Sequence, residues 1–412
     1  MKKALATILA LVMALGLTTA AWADDAGVAC SGENCNHAAA FNGMHYANLV
    51  DAYAALTRGN TKPAAPEVIT LLKDSSGGGI GSDADTNMNY VIDFNGHTYT
   101  VGAPAVGSTG TVSQGLRVLK TSTAKFMNGT LKADNFNGLV QVVHTYGEVT
   151  FENFNVDARD SYAQIAVEPD CGTLNINGNS SILAREGGTG LYVAFWHTGT
   201  YNGTTVNVNT TGKITGKLVY EFDEDMTGND AATENKAVLK IDNGNFEITD
   251  IQKLFSGVIN DELKEAKITV TGGTFSSDVS AYTAENTPVA FNEGTYYVGE
   301  ETIQNVASSL SAGQWLEIME GTVRLTDVPA GVIVRPEDDT VVFVNGKDIS
   351  NERDGYTVPQ SSGYYYYHST TDTKTTDTKG SPKTFDAGIA LYVGMALTSA
   401  AGVAFVGKKR ED

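Results

Sequence analysis

The chain has little that would drive nucleic-acid binding, redox chemistry or conventional catalysis. It carries 28 Lys and Arg against 48 Asp and Glu, a formal net charge of −20. Binding to nucleic acid through a basic patch is disfavoured, whereas a soluble extracellular protein or one that meets divalent cations suits such a charge. Three cysteines over 412 residues are too few for a disulfide scaffold. Proline is scarce at nine residues, while 44 glycines and many Asn and Thr give a turn-rich β composition. HExxH, GxSxG and Walker A motifs are all absent. Long apolar runs are missing everywhere but at the two ends.

Those ends define a compartment. Lys2 and Lys3 precede an apolar stretch over 4–17, and Ala21-Trp22-Ala23 follows as an A-x-A site. Residues 1–23 therefore read as a secretory signal cut after Ala23, with Ala21 and Ala23 as the small residues of the cleavage site. Its removal takes the charge from −20 to −22, because Lys2 and Lys3 leave with it. At the other end, 387–407 holds no charge and Lys408, Lys409 and Arg410 follow. As a helix this segment is about 31 Å long, near the thickness of a bilayer's hydrocarbon, and the basic cluster would stay cytoplasmic. The mature chain is expected outside, held by its C-terminal end.

Between the ends the pattern repeats. Short alternating strands separated by Asn, Gly and Thr recur in YVIDFNGHTYTV from Tyr90, KFMNGTLKA from Lys125 and VTFENFNVDA from Val149. The series continues in LNINGNSSILA from Leu174, VNVNTTGKIT from Val206, LKIDNGNFEIT from Leu239 and ITVTGGTFSS from Ile268. A period of this size points to stacked coils, and alternation gives each strand one buried face. A single coil cannot hide that face, so its neighbours supply the core. The expectation is a mainly β chain whose body, 75–290, is a right-handed parallel β-helix. A β-sandwich of hairpins has the same local look and stays open as the alternative.

A strand–helix–strand unit is expected on each flank. In 24–74 the apolar positions Tyr46, Leu49, Val50, Tyr53, Ala54 and Leu56 fit a helical face, and a β run starts at Glu67. In 291–360 a strand near Tyr296, a helix from about Glu301 and a strand from Trp315 repeat the order. Such units would blunt the open strand edges of a stack. Residues 361–380, ending in a Thr/Asp/Lys/Ser tract, are expected to be a disordered, solvated spacer.

Two stretches carry a resemblance. Ser381-Pro382-Lys383-Thr384-Phe385, the apolar span and the basic tail resemble the cell-wall sorting signal of sortase-anchored Gram-positive surface proteins. That family's usual motif is L-P-x-T-G; here Ser381 stands for Leu and Phe385 for Gly. The resemblance implies that a sortase cuts after Thr384 and joins its carbonyl to peptidoglycan. The plain alternative is a stop-transfer helix that stays in the membrane. The motifs ITLLKD from Ile69, IDFNGHT from Ile92 and GGTFSSDV from Gly272 resemble the right-handed, pectin-lyase-like β-helix surface proteins of Gram-positive bacteria. What this implies is a fold and a place, without a substrate.

Candidate chemistry is sparse. Asp223, Asp225, Thr227, Asn229 and Glu234 match positions 1, 3, 5, 7 and 12 of an EF-hand-type calcium loop, with Gly228 at the turn. The strand-like GKLVYEF before it and Asp230 at the usual apolar position favour a plain acidic loop, so Ca²⁺ is a possible ligand rather than a required one. Asp83-Ala84-Asp85 is a shorter fragment of the same pattern. Cys30 and Cys35 are candidates for a local disulfide; His37 beside them suggests a metal site that lacks a fourth ligand. Cys171 reads as a small buried residue. Tyr192 and Trp196 are candidates for a glycan-binding face, with core packing as the plainer role. β-Helix galacturonases group Asp pairs with His and Arg-x-Lys, and neither Arg-x-Lys nor Gly-His-Gly occurs here. Asp157 and Asp160 read as a solvated pair.

The expectation for function is a non-enzymatic, wall-displayed adhesin or glycan-binding β-helix. Its partners would be a sortase and peptidoglycan or the membrane at the C-terminus, and a glycan or a host or neighbouring-cell ligand on the body. The alternatives are a β-helix polysaccharide lyase or glycoside hydrolase, and a structural wall component.

Overall fold

The alternating stretches form strands, but those strands do not pair with their neighbours in sequence. The computed structural model describes residues 27–29, 35–57, 63–81, 87–108, 110–194, 203–222, 237–248, 251–255 and 267–360. Among them are twenty-eight strands, β1 to β28 in chain order, and two α-helices, α1 (Leu49–Thr57) and α2 (Glu300–Ser309). The fold is mainly β. No helix among the described residues is long and apolar enough to cross a membrane. The segment 387–407, the sorting motif 381–385, the cleavage site at Ala21 and Ala23, and the spacer 361–380 all lie outside the described residues.

One long sheet carries a parallel series: β3 (Glu67–Leu71), β5 (Asn89–Asp93), β8 (Thr123–Ala133), β10 (Glu148–Asp157), β12 (Gly172–Gly178), β15 (Thr204–Thr215), β17 (Ala237–Glu247) and β19 (Lys267–Val270). The register stacks Ile69, Ile92, Phe126, Phe151, Ile176, Val208, Ile241 and Val270 in one row, each step skipping 23 to 34 residues. Every member of that row is fully buried. Burial of side chains this size contributes about 1.5–3 kcal/mol each, so the row is a main source of cohesion. A second row in the same sheet stacks Tyr99, Leu131, Val156, Ile182, Ile214, Phe246 and Phe275, also buried.

Within the repeated stretches, Asn-Gly sites such as Asn128-Gly129 are corners in this sheet, whereas Asn42-Gly43 turns the hairpin between β1 (Ala39–Phe41) and β2 (Met44–Tyr46). Phe126 and Leu131 lie on either side of Asn128-Gly129, yet both pair with the same parallel neighbour, at Phe151 and Val156. Asn128 has φ 56° and Asn153 φ 52°, the left-handed conformation that Asn tolerates better than most residues. Their side chains also stitch successive layers: Asn128 Nδ2 donates to Asp93 Oδ1 (3.2 Å), and Asn153 Oδ1 accepts from the Asn179 amide (2.9 Å). Gly129 is required by packing, since a Cβ there would run into the Phe94 side chain and the His97 carbonyl. Parallel partners on both arms of each corner are not what a sandwich of hairpins would give.

A second, six-stranded sheet is wholly parallel: β7 (Gln114–Val118), β9 (Gln141–Thr145), β11 (Ile165–Pro169), β14 (Thr189–Val193), β16 (Lys217–Phe222) and β18 (Ile251–Phe255). Its inner row is Leu116, Val143, Val167, Leu191 and Leu218, all buried. The chain visits the long sheet, then this one, then the long sheet again. Residues of both sheets share one continuous hydrophobic core.

Both ends of the parallel series are antiparallel. At the front, β1 (Ala39–Phe41) pairs with β3 and, as a hairpin, with β2 (Met44–Tyr46). Helix α1 buries Leu49, Ala52, Tyr53 and Leu56. At the back, β20 (Gly273–Phe275) meets β22 (Thr295–Val298) antiparallel, and α2 packs in a separate core with β23 (Trp315–Glu320) and the strands after it. The continuous parallel series thus spans Glu67 to Phe275, and parallel pairing recurs beyond it between β23 and β25 (Ile333–Pro336) and between β24 (Thr322–Leu325) and β26 (Val341–Val344). The series starts inside the segment that the sequence assigns to the front cap, because β3 pairs with β1 on one side and β5 on the other.

Candidate functional site

Alternation places Leu116 and Val118 in the core and turns Arg117 to the opposite face of the second sheet. The register puts His144 beside Arg117 and Glu168 beside His144, so three charged or titratable groups form one row across three strands. Tyr192, next to Leu191, continues the row one strand further, half-buried. Two residues on from His144 and Glu168 lie Tyr146 and Asp170. The face is covered: Arg117 is 8 % exposed, His144 5 % and Asp170 6 %. Charged groups buried to that degree need partners, since an isolated ion costs several kcal/mol to desolvate.

The partners are present. His144 Nε2 lies 2.6 Å from Asp170 Oδ2. Arg117 Nη2 donates to Ser108 Oγ at 2.7 Å, and its guanidinium carbon sits 5.9 Å from the centre of the Tyr146 ring. The His144 and Tyr146 rings are 4.6 Å apart. Burial works against the His144 imidazolium, but the hydrogen bond to Asp170 and the charges of Asp170 and Glu168 outweigh it, so its pKa is raised above the ordinary 6.5. Burial, and then Asp170, push the Tyr146 phenol far upward, which keeps it neutral. With the imidazole protonated the set holds two positive and two negative groups and is balanced.

Two atoms stand out. His144 Nδ1 and Asp170 Oδ1 are buried with no hydrogen-bond partner among the described residues. Asp170 fixes the imidazole at Nε2 and leaves Nδ1 as the atom that would take or give a proton. His144, Glu168 and Asp170 also bring donor atoms within 4.8 Å of one another, the spacing of a metal-binding group. The sequence reading missed this cluster because its members lie 24 to 27 residues apart. The signal was available: Arg117, His144 and Glu168 recur at the spacing of the repeated strands, and Glu168-Pro169-Asp170 places two carboxylates on one side of a strand.

A second feature is a polar cleft of about 300 Å³ at the back end of the long sheet, with Asn209, Asp242, Asn243, Thr271, Glu300 and Glu301 among its walls. Asn209 and Asn243 are in register on β15 and β17, and Thr271 Oγ1 donates to Asp242 Oδ1 at 2.7 Å. The glutamates come from the first turn of α2.

The predicted site residues fare unevenly. The calcium-loop residues Asp223, Asp225, Thr227, Asn229 and Glu234 lie outside the described residues, as do Trp196 and Cys30. Cys35 is described and faces His37 and His45. Cys171 is buried, as expected. Asp157 departs from its expected solvated role. It is 8 % exposed and bound through both carboxylate oxygens by Arg159 (2.9 and 2.8 Å), while Asp160 stays outside with Lys132 at 3.1 Å. Asp157 closes β10 between Lys132 and Leu183 of the neighbouring strands, and the Arg159 side chain lies against its carboxylate. Neither a family model, a curated protein nor a solved structure matches the chain, so the functional argument rests on these residues.

Proposed function

We propose that the protein is a surface-displayed binding protein whose body is a right-handed parallel β-helix and whose C-terminal signal ties it to the wall or membrane. The two parallel sheets, visited in turn and sharing one core, support the β-helix reading. The polar cleft carries the binding reading. Its amides, hydroxyl and carboxylates offer both donors and acceptors at fixed spacing, which suits the hydroxyl groups of a glycan. The sorting motif at Thr384 and the signal at Ala23 supply the place.

The test has two arms. Brief external protease treatment of intact cells should digest the body; a chain that survives untouched inside the cell would end the surface reading. A glycan array probed with the purified protein should give a ligand class whose binding drops on Asn243→Ala or Glu301→Gln. Binding indifferent to both substitutions would remove the cleft from the argument. An array blank throughout would favour a structural wall component.

One observation favours a second reading. The buried His144–Asp170 pair, with Glu168 and Arg117 in the same row, is a proton-transfer arrangement of the kind a polysaccharide lyase or hydrolase needs. Cleavage of uronate polymers that disappears in His144→Ala would establish it. A folded, pure sample with no such activity would leave the cluster structural.

A further inference from the structure

We propose that Cys35, His37 and His45 bind one zinc ion and that this ion fastens the incoming chain to the edge strand β2. The Cys35 thiol faces two imidazoles at once: Sγ lies 3.1 Å from His37 Nδ1 and 2.8 Å from His45 Nδ1. All three donor atoms lie within 4.8 Å of one another. In a tetrahedral site with Zn–S of about 2.3 Å and Zn–N of about 2.0–2.1 Å, sulfur and nitrogen sit about 3.5 Å apart. The two sulfur–nitrogen separations are therefore about 0.4 and 0.7 Å shorter than in such a site, a gap that small shifts of three half-buried side chains close. A metal ion would take the sulfur and both nitrogens as ligands together.

The scaffold holds these groups in place without the ion. His45 sits in the middle of β2, opposite Ala40, and exchanges both backbone bonds with Val28 (3.0 and 2.9 Å). The segment bearing Cys35 and His37 is tied down by Lys73, whose Nζ donates to the Asn36 carbonyl and to its Oδ1 at 2.6 Å each. Ala38 donates its amide to the Tyr46 carbonyl at 2.9 Å. Ligands two residues apart on one side of the hairpin and one across from them form a chelate that folding closes. All three residues are half-buried, which leaves room for water as a fourth ligand. One thiolate and two imidazoles select zinc over calcium or magnesium, whose ligands are oxygens.

The location gives the ion a task. Strand β2 is the terminal strand at the front of the long sheet, joined to β1 on one side and to the short bridge at Val28 on the other. An open strand edge invites pairing with other chains, and a metal tying the loop across it closes that end. This use also competes with the Cys30–Cys35 disulfide suggested by the sequence, because Cys35 sulfur cannot serve both.

The experiment uses the purified full-length protein, incubated with zinc sulfate and dialysed. One zinc per chain is expected, with a rise in melting temperature that a chelator reverses. Replacement by cobalt(II) should give a thiolate-to-cobalt charge-transfer band in the near ultraviolet. Cys35→Ser and His45→Asn should each abolish the band and the stoichiometric zinc, while His97→Asn, on a histidine that pairs with Asp74 elsewhere, should keep both. Circular dichroism establishes that the variants are folded. Zinc content unchanged by Cys35→Ser and His45→Asn would overturn the proposal. A Cys35 found in a disulfide, with no cobalt band, would overturn it as well.

Discussion

Two outward-facing rows occupy equivalent places in the two parallel sheets and have opposite fates. In the long sheet, Lys125, Thr150, Asn175, Asn207, Lys240 and Thr269 stack in register and stay half-exposed or exposed. In the second sheet, Arg117, His144 and Glu168 stack by the same rule, yet Arg117 and His144 are buried. Strand alternation fixes which residues point outward and says nothing about whether water meets them. That depends on what else covers the face. The first row can therefore change its residues at little cost, whereas the second has to be balanced in charge and hydrogen-bonded as a unit.

The inner rows set the scale against which both are judged. Phe151→Ala in the centre of the long sheet's row should destabilise by about 4 kcal/mol, since neighbours above and below in the register, Phe126 and Ile176, cannot both collapse into the space. Chemical denaturation reads this directly. A loss under about 1 kcal/mol would mean that the stacked row is not the main source of cohesion.

His144→Leu should come next, at about 3 kcal/mol, because it leaves the Asp170 carboxylate buried beside an apolar group. The pH dependence carries the sign. His144 has a raised pKa in the folded chain, so its contribution is fully present below the ordinary 6.5 and fades as pH rises through the folded value. The gap between wild type and variant should therefore shrink on going from neutral to alkaline pH. A gap that widens would show that the imidazole is held neutral.

Asp157→Asn should cost less, about 1 kcal/mol, because Arg159 is largely exposed and water screens the pair. Arg159 holds the Asp157 carboxyl below its usual range, so this contribution is present at neutral pH and lost as pH falls through the lowered value. Acid titration of both proteins, followed by melting, checks the direction.

How much of this was legible in the sequence depends on the range of the interaction concerned. The alternation around Phe126, Phe151 and Ile176 is local, and the strands and their inward faces follow from it, as the front helix follows from the helical spacing of Leu49, Tyr53 and Leu56. Corner glycines and asparagines were visible too, although Asn128-Gly129 looks the same in sequence whether its strands pair with each other or with neighbouring layers. The burial of the Arg117, His144 and Glu168 row was not legible, because no property of those residues tells what covers them. His45 was missed as a partner of Cys35 for a related reason. It lies ten residues away, and only the hairpin between β1 and β2 brings it back.

The smallest effect tests the exposed row. Asn207 Nδ2 donates to Asn175 Oδ1 at 2.9 Å, one rung of an amide pair on the outside of the long sheet. Both side chains are half-exposed, so water replaces most of what Asn207→Ala removes, and the loss should stay near 0.5 kcal/mol. The companion variant Asn175→Ala should cost about the same, and the double variant little more than either, because one bond is lost in all three. If the single losses instead approached that of His144→Leu, the outer row of the long sheet would be as constrained as the buried one. Coverage would then not be what separates the two faces, and the difference would have to lie in the strands themselves.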